Sequence, residues 1–119
     1  MDFNQNKPIY LQIADSICEK ILSGEYLPDE RILSVRELGI SLGVNPNTIA
    51  RVYEHLQGME IIYNKRGIGY FVAPDAPEKV LQSHREEFLR NELPVVARKM
   101  QLLGVPLEVL GEMMKEELR

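Results

Sequence analysis

The sequence predicts a mainly α-helical chain with one small β-hairpin: a winged helix-turn-helix over residues 1–74, then a two-helix tail over residues 75–119. Three observations predict it. Ser34 to Leu56 reads as two short amphipathic helices joined by a tight turn. Two β-branched and aromatic runs, Ile61-Ile62-Tyr63 and Tyr70-Phe71-Val72, bracket a glycine-containing turn, the mark of a hairpin. Beyond Pro74 and Pro77, apolar residues recur at helical spacing to the end of the chain.

Residues 1–7 are polar and predict a loose lead-in. Pro8 opens a helix whose apolar residues, Tyr10, Ile13, Ala14, Ile17, Cys18, Ile21 and Leu22, alternate in steps of three and one. That rhythm marks a wide buried stripe. Cys18 lies inside the stripe and reads as a packing residue, not a redox group. Gly24 ends the helix, and Glu25 to Leu33 reads as a connector.

Ser34 and Glu37 have the spacing of a capping box at a helix start. Leu38 and Leu42 are expected to face inward. Gly43 stands where a helix end favours a residue tolerant of positive φ. Val44 fills the turn, Asn45 can cap the next helix, and Pro46 suits its first position, where no amide hydrogen is needed. Ile49, Val52, Tyr53 and Leu56 share one stripe of that helix; Asn47, Thr48 and Arg51 share the other. Short hydrogen-bonding side chains at the start of a second helix are the part of such a motif that reaches base edges in a major groove. The hairpin tip carries Lys65 and Arg66, two cations suited to a phosphate or the minor groove.

In the tail, Leu81, Phe88, Val95 and Leu102 repeat every seven residues, and Pro94 is expected to kink or interrupt their helix. Gly104-Val105-Pro106 turns the chain into a last stripe of Leu107, Leu110, Met114 and Leu118. Two helices cannot enclose that much apolar surface alone. The expected cover is a second copy of the tail, with Leu81, Phe88, Val95, Leu102, Leu110 and Met114 at a homodimer interface.

Composition narrows the function. At 119 residues and 45% apolar content, the chain suits one small domain with an appendage. The formal net charge is −4, with seven Lys and Arg against nine Asp and Glu in residues 1–74, and the same in 75–119. Binding to double-stranded DNA must then rest on the local placement of a few cations and be salt-sensitive. A single cysteine excludes an intrachain disulfide and a multi-cysteine zinc site. His55 and His84 lack partners at metal spacing and read as surface residues. No nucleophile elbow, phosphate-cradling glycine loop or paired carboxylates suggest an enzyme, and no cofactor is expected. The sequence has neither a signal-peptide pattern nor a run of about 18 apolar residues, so a cytoplasmic protein without a membrane span is expected. The acidic balance motivates a competing expectation, a winged-helix protein-interaction module that does not bind DNA.

The segment Pro8 to Val72 resembles the GntR family of bacterial transcription regulators. PIYLQI (Pro8 to Ile13), SVREL (Ser34 to Leu38), LGVNPNT (Leu42 to Thr48) and GIGYFV (Gly67 to Val72) carry the resemblance. The NPNT variant and the short tail look like the YtrA-type branch. The resemblance implies a homodimeric repressor, often of transporter operons, acting on an inverted-repeat operator. It implies DNA contacts at Arg36, Asn45, Asn47 and Thr48, with Arg66 and Gly67 at the wing tip. Arg51, displaced by one position from an arginine of other branches, is a further candidate DNA contact, expected to read bases beside Asn47 and Thr48. The chain departs from the family pattern at Leu33, where proline is common, at Gly39, where alanine is usual, and at Pro106, where a hydroxyl cap is more usual. Gly39 is expected to soften its helix by about 1 kcal/mol relative to alanine. The effector-binding and aminotransferase-like domains of other branches have no counterpart, so a small-molecule effector would have to lodge between tail and wing domain.

Overall fold

A computed structural model describes residues 7–119; residues 1–6, most of the expected loose lead-in, lie outside the described part. Helix α1 (Ile9–Leu22) is followed by α2 (Val35–Leu42), α3 (Pro46–Gly58), strands β1 (Ile62–Lys65) and β2 (Gly69–Val72), and α4 (Ala76–Glu87). A π-helical turn over Phe88–Glu92 leads into α5 (Leu93–Leu103), and α6 (Leu107–Glu117) ends the chain. The chain divides into two compact units, the first ending at Gln82 and the second beginning at Ser83.

The first unit is built on the α3 stripe. Ile49, Val52, Tyr53 and Leu56 are at most 1% exposed, and α1 supplies Ile13, Ala14, Ile17, Cys18 and Ile21 against them. Leu22, at the end of the α1 stripe, is instead largely exposed. Burial pushes the Cys18 thiol up to about 12, helped by the charges of Asp15 and Glu19, which suits a packing group.

Strands β1 and β2 pair antiparallel, with Ile62 opposite Val72 and Lys65 opposite Gly69. The tip is therefore only Arg66-Gly67-Ile68, and Lys65 belongs to the strand. The connector contributes to the sheet as well. Asp29 N–H donates to the Val72 carbonyl (2.8 Å), Val72 N–H to Glu30 (2.9 Å) and Ile32 N–H to Tyr70 (3.0 Å). Ile32 is buried, Tyr53 donates its hydroxyl proton to the Leu33 carbonyl, and the Tyr53 ring packs edge-on against Tyr70. These bonds tie the hairpin to α3.

One of the two inward assignments in α2 changes. Leu38 is buried, but Leu42 is half-exposed, in a shallow groove with Ile9, Ile13 and Ile17. The inward position belongs to Gly39. A Cβ there would stand 2.9 Å from the Val44 carbonyl oxygen, so the turn back into α3 passes where a side chain would be. Gly39 thus allows the close approach of turn and helix, and the expected softening of α2 is offset by packing that alanine would disturb.

The first turns of α4 also belong to this core. Ala76 and Val80 are fully buried, and Ala73 N–H donates to the Ile61 carbonyl (2.9 Å).

The second unit has no buried side chain. Pro94 has no N–H to donate, and its ring crowds the carbonyl four residues back. The chain accommodates it in a π turn, where Leu93 N–H reaches the Phe88 carbonyl. Gly104, in the left-handed region (φ 66°), ends α5, and Val105 N–H closes onto Met100 (2.9 Å). Leu102 is 85% exposed, and Phe88, Val95, Leu103, Leu107 and Met114 are exposed too.

Candidate nucleic-acid interface

The candidate interface comprises the starts of two helices and the end of a hairpin. The Ser34 hydroxyl accepts from Glu37 N–H (3.0 Å), and Glu37 Oε1 accepts from Ser34 N–H (2.9 Å), completing the capping box. Asn45 Oδ1 accepts from Asn47 N–H (2.8 Å), and Pro46 follows it in the first turn of α3. These caps fix where the first turns of α2 and α3 begin. The remaining N–H groups of those turns carry partial positive charge, a ready partner for phosphate.

The predicted residues are then placed as follows. Arg36, Asn45, Asn47, Arg51, Lys65, Arg66 and Gly67 are exposed, and Thr48 is half-buried. The Asn47 side chain has no hydrogen-bond partner among the described residues, so its amide can both donate and accept. Arg36 has no ion pair within 4.0 Å among them. The two carboxylates that could have taken it are engaged elsewhere: Glu37 holds the cap, and Glu30 Oε1 accepts from Leu27 N–H (2.9 Å). Lys65 lies over the Phe71 ring (4.7 Å), and Phe71 stacks on Tyr63, whose hydroxyl donates to Asp29. The wing cation is thus held by an aromatic ladder. Arg51 does not point out beside Asn47; its guanidinium lies over Tyr10 of α1 (4.1 Å). His55, read as a surface residue, is half-buried with its ring edge-on to Tyr10.

One cation escaped the sequence reading. Arg31 forms an antiparallel bridge with Phe71, and its Nε stands 2.9 Å from where a Gly69 side chain would begin. The absent side chain lets the guanidinium lie across the base of the wing. Only the hidden pairing of the connector with β2 would have signalled it.

The carboxyl of Glu37 is held below the ordinary glutamate range, first by the Ser34 N–H, then by the Ser34 hydroxyl, with Arg31 contributing. A carboxyl lowered on folding stabilises the fold above its unfolded pKa, and that contribution fades as pH falls through the folded value. The α2 cap is therefore expected to loosen on acidification below the ordinary glutamate range. A carbon-detected NMR titration should give Glu37 a lower midpoint than a glutamate in an unstructured reference peptide. Equal midpoints would contradict the cap's role in solution.

Among the described residues, no three of His, Cys, Asp and Glu stand together to hold a metal ion, and no helix is long and apolar enough to cross a membrane.

A capped helix pair presenting an amide-bearing first turn, flanked by a cationic wing, defines a winged helix-turn-helix transcription regulator. The sequence pattern of the bacterial regulatory proteins of the gntR family matches residues 9–72. The chain belongs to the GntR family. It is 37% identical over 113 residues to the HTH-type transcriptional regulator YhcF of Bacillus subtilis, covering 95% of this chain and 92% of that one. It is 31% identical over 116 residues to the HTH-type transcriptional repressor YtrA of the same organism, covering 98% and 88%. A GntR family transcriptional regulator from Listeria monocytogenes superposes with a TM-score of 0.78 at 35% identity, covering 96% of this chain and 98% of that one. The DNA-binding domain of AraR, solved in complex with an operator, superposes with a TM-score of 0.53 at 35% identity over 56% of this chain and 80% of that one.

Proposed function

We propose that this regulator is a homodimeric repressor, working in the cytoplasm, that reads an inverted-repeat operator and catalyses no reaction. The observation that carries the DNA site is the open first turn of α3. Asn47 is exposed there and Thr48 half-buried; Arg36, with no ion pair among the described residues, and the wing cations Lys65 and Arg66 are exposed as well. Arg36, the wing and the helix N-termini set register on phosphates; Asn47 and Thr48 read base edges. Two copies joined through their tails place their α3 helices about one helical turn, roughly 34 Å, apart. The repressor named YtrA and the operator-bound domain of AraR support this reading.

Arg36→Ala tests it. Anisotropy titrations on a selected duplex and on a mixed-sequence duplex should show both weakened alike. The slope of log affinity against log salt should fall by about 0.9 per protomer. Unchanged affinity would remove Arg36 from the interface. The net charge of −4 favours one second reading, an interaction module for another protein. Its signature is no titratable DNA complex even at low salt.

A further inference from the structure

We propose that Arg51 is a phosphate contact and that Tyr10 of α1 is its positioning residue; the inference rests on the DNA-binding reading above. Sequence position alone puts Arg51 one turn beyond Asn47, on the face that would enter a groove. The structure places its guanidinium elsewhere, 4.1 Å from the centre of the Tyr10 ring. That ring is itself fixed: Tyr10 is half-buried against the core, and His55 meets it at 6.0 Å and 85°.

A guanidinium held over a ring by cation–π attraction commits none of its N–H groups to a hydrogen-bond acceptor. Its five N–H donors lie in its plane and remain available. Among the described residues no carboxylate lies within 4.0 Å of Arg51, although Glu54 lines the same surface pocket with Tyr10, Arg51 and His55. The donor edge is therefore uncommitted. It also sits at the α1 flank of α3, off the line of Asn47. A side chain at the flank of a helix lying in a major groove meets the sugar-phosphate wall, not the base edges. A planar fork suits a phosphate, and its hold over the Tyr10 ring reduces the rotamer freedom lost when the contact forms.

The test uses the full chain, a labelled duplex selected by the protein from a random library, and a mixed-sequence duplex, each titrated at several salt concentrations. Arg51→Ala is expected to weaken both duplexes by the same factor and to lower the salt slope by about 0.9 per protomer. Tyr10→Leu is expected to weaken both about two- to five-fold, and Tyr10→Phe, which keeps the ring, to bind like the parent. In the Arg51→Ala background, Tyr10→Leu should add nothing. Loss confined to the selected duplex, with the slope unchanged, would make Arg51 a base reader and overturn the proposal. A Tyr10→Leu effect that persists without Arg51 would make Tyr10 merely structural and overturn it as well. Should Tyr10→Leu fail to fold, Arg51→Lys serves instead: it keeps the charge, loses the planar fork, and should cost about as much as Tyr10→Leu; parental affinity would overturn the proposal. A parent chain that selects no duplex overturns the regulator reading itself, an outcome distinct from all of these.

Discussion

A chain ending at Pro74 is expected to lose most of the stability of the winged helix, while one ending at Gln82 keeps it. From the sequence, Pro74 looks like a clean place to cut, because the hairpin has closed and two prolines follow. The structure places Ala76 and Val80 beyond that point, both fully buried in the core. Burying a valine side chain contributes about 1.5–3 kcal/mol, and removing its helix leaves a hole that costs more. The loss falls on a small domain with a total margin of about 5–15 kcal/mol. Removing a few kcal/mol should lower Tm by about 15 °C or more, since each kcal/mol shifts a domain of this size by about 4–8 °C. Thermal melts followed by far-UV circular dichroism on the two truncated chains check this. Coincident melts would mean that α4 is an appendage whose burial carries no energy.

The second large effect is expected in the tail. Phe88→Glu combined with Leu102→Glu should convert a dimer into monomers and weaken operator binding by about 10²–10⁴, the gain that linking two half-site contacts supplies. The unit from Ser83 onward buries none of its side chains, yet it displays Phe88, Val95, Leu102, Leu103, Leu107 and Met114. So many exposed apolar side chains on one small unit are expected to be covered by a partner. A carboxylate placed in such an interface must be stripped of water with no cation to receive it. Sedimentation equilibrium at micromolar concentration and duplex titration read the two effects. A parent chain that sediments as a monomer, or a doubly substituted chain that still pairs, would refute the assignment of the tail.

Much of the first unit was legible because its signals are local. The Ser34–Glu37 box, the Asn45-Pro46 start and the Ile49, Val52, Tyr53, Leu56 stripe each declare themselves within a few residues, and the structure has all three. The hairpin showed itself for the same reason. What stayed hidden depends on partners distant in sequence. Glu25 to Leu33 read as a plain connector, so nothing announced that it would pair with β2 and bring Arg31 to the wing. Leu42 fitted the α2 stripe by spacing, but the chain turns back so sharply that Gly39 takes the inward place. Arg51 had the right helix face and the right charge; its attraction to Tyr10 follows from the packing of α1 on α3, which periodicity does not encode.

The widened turn before Pro94 has a consequence for the seven-residue rhythm of the tail. It inserts one residue into the helix, and one residue is worth about 100° of rotation. Phe88 stands at its start, and Val95 and Leu102 come after it. These side chains, collinear when the letters are counted in sevens, therefore lie along two different meridians of the helix. A straight partner helix could follow one meridian only. Whatever covers both must wrap, so an inserted or deleted residue near Asn91 would re-phase the pairing surface without altering a single apolar side chain.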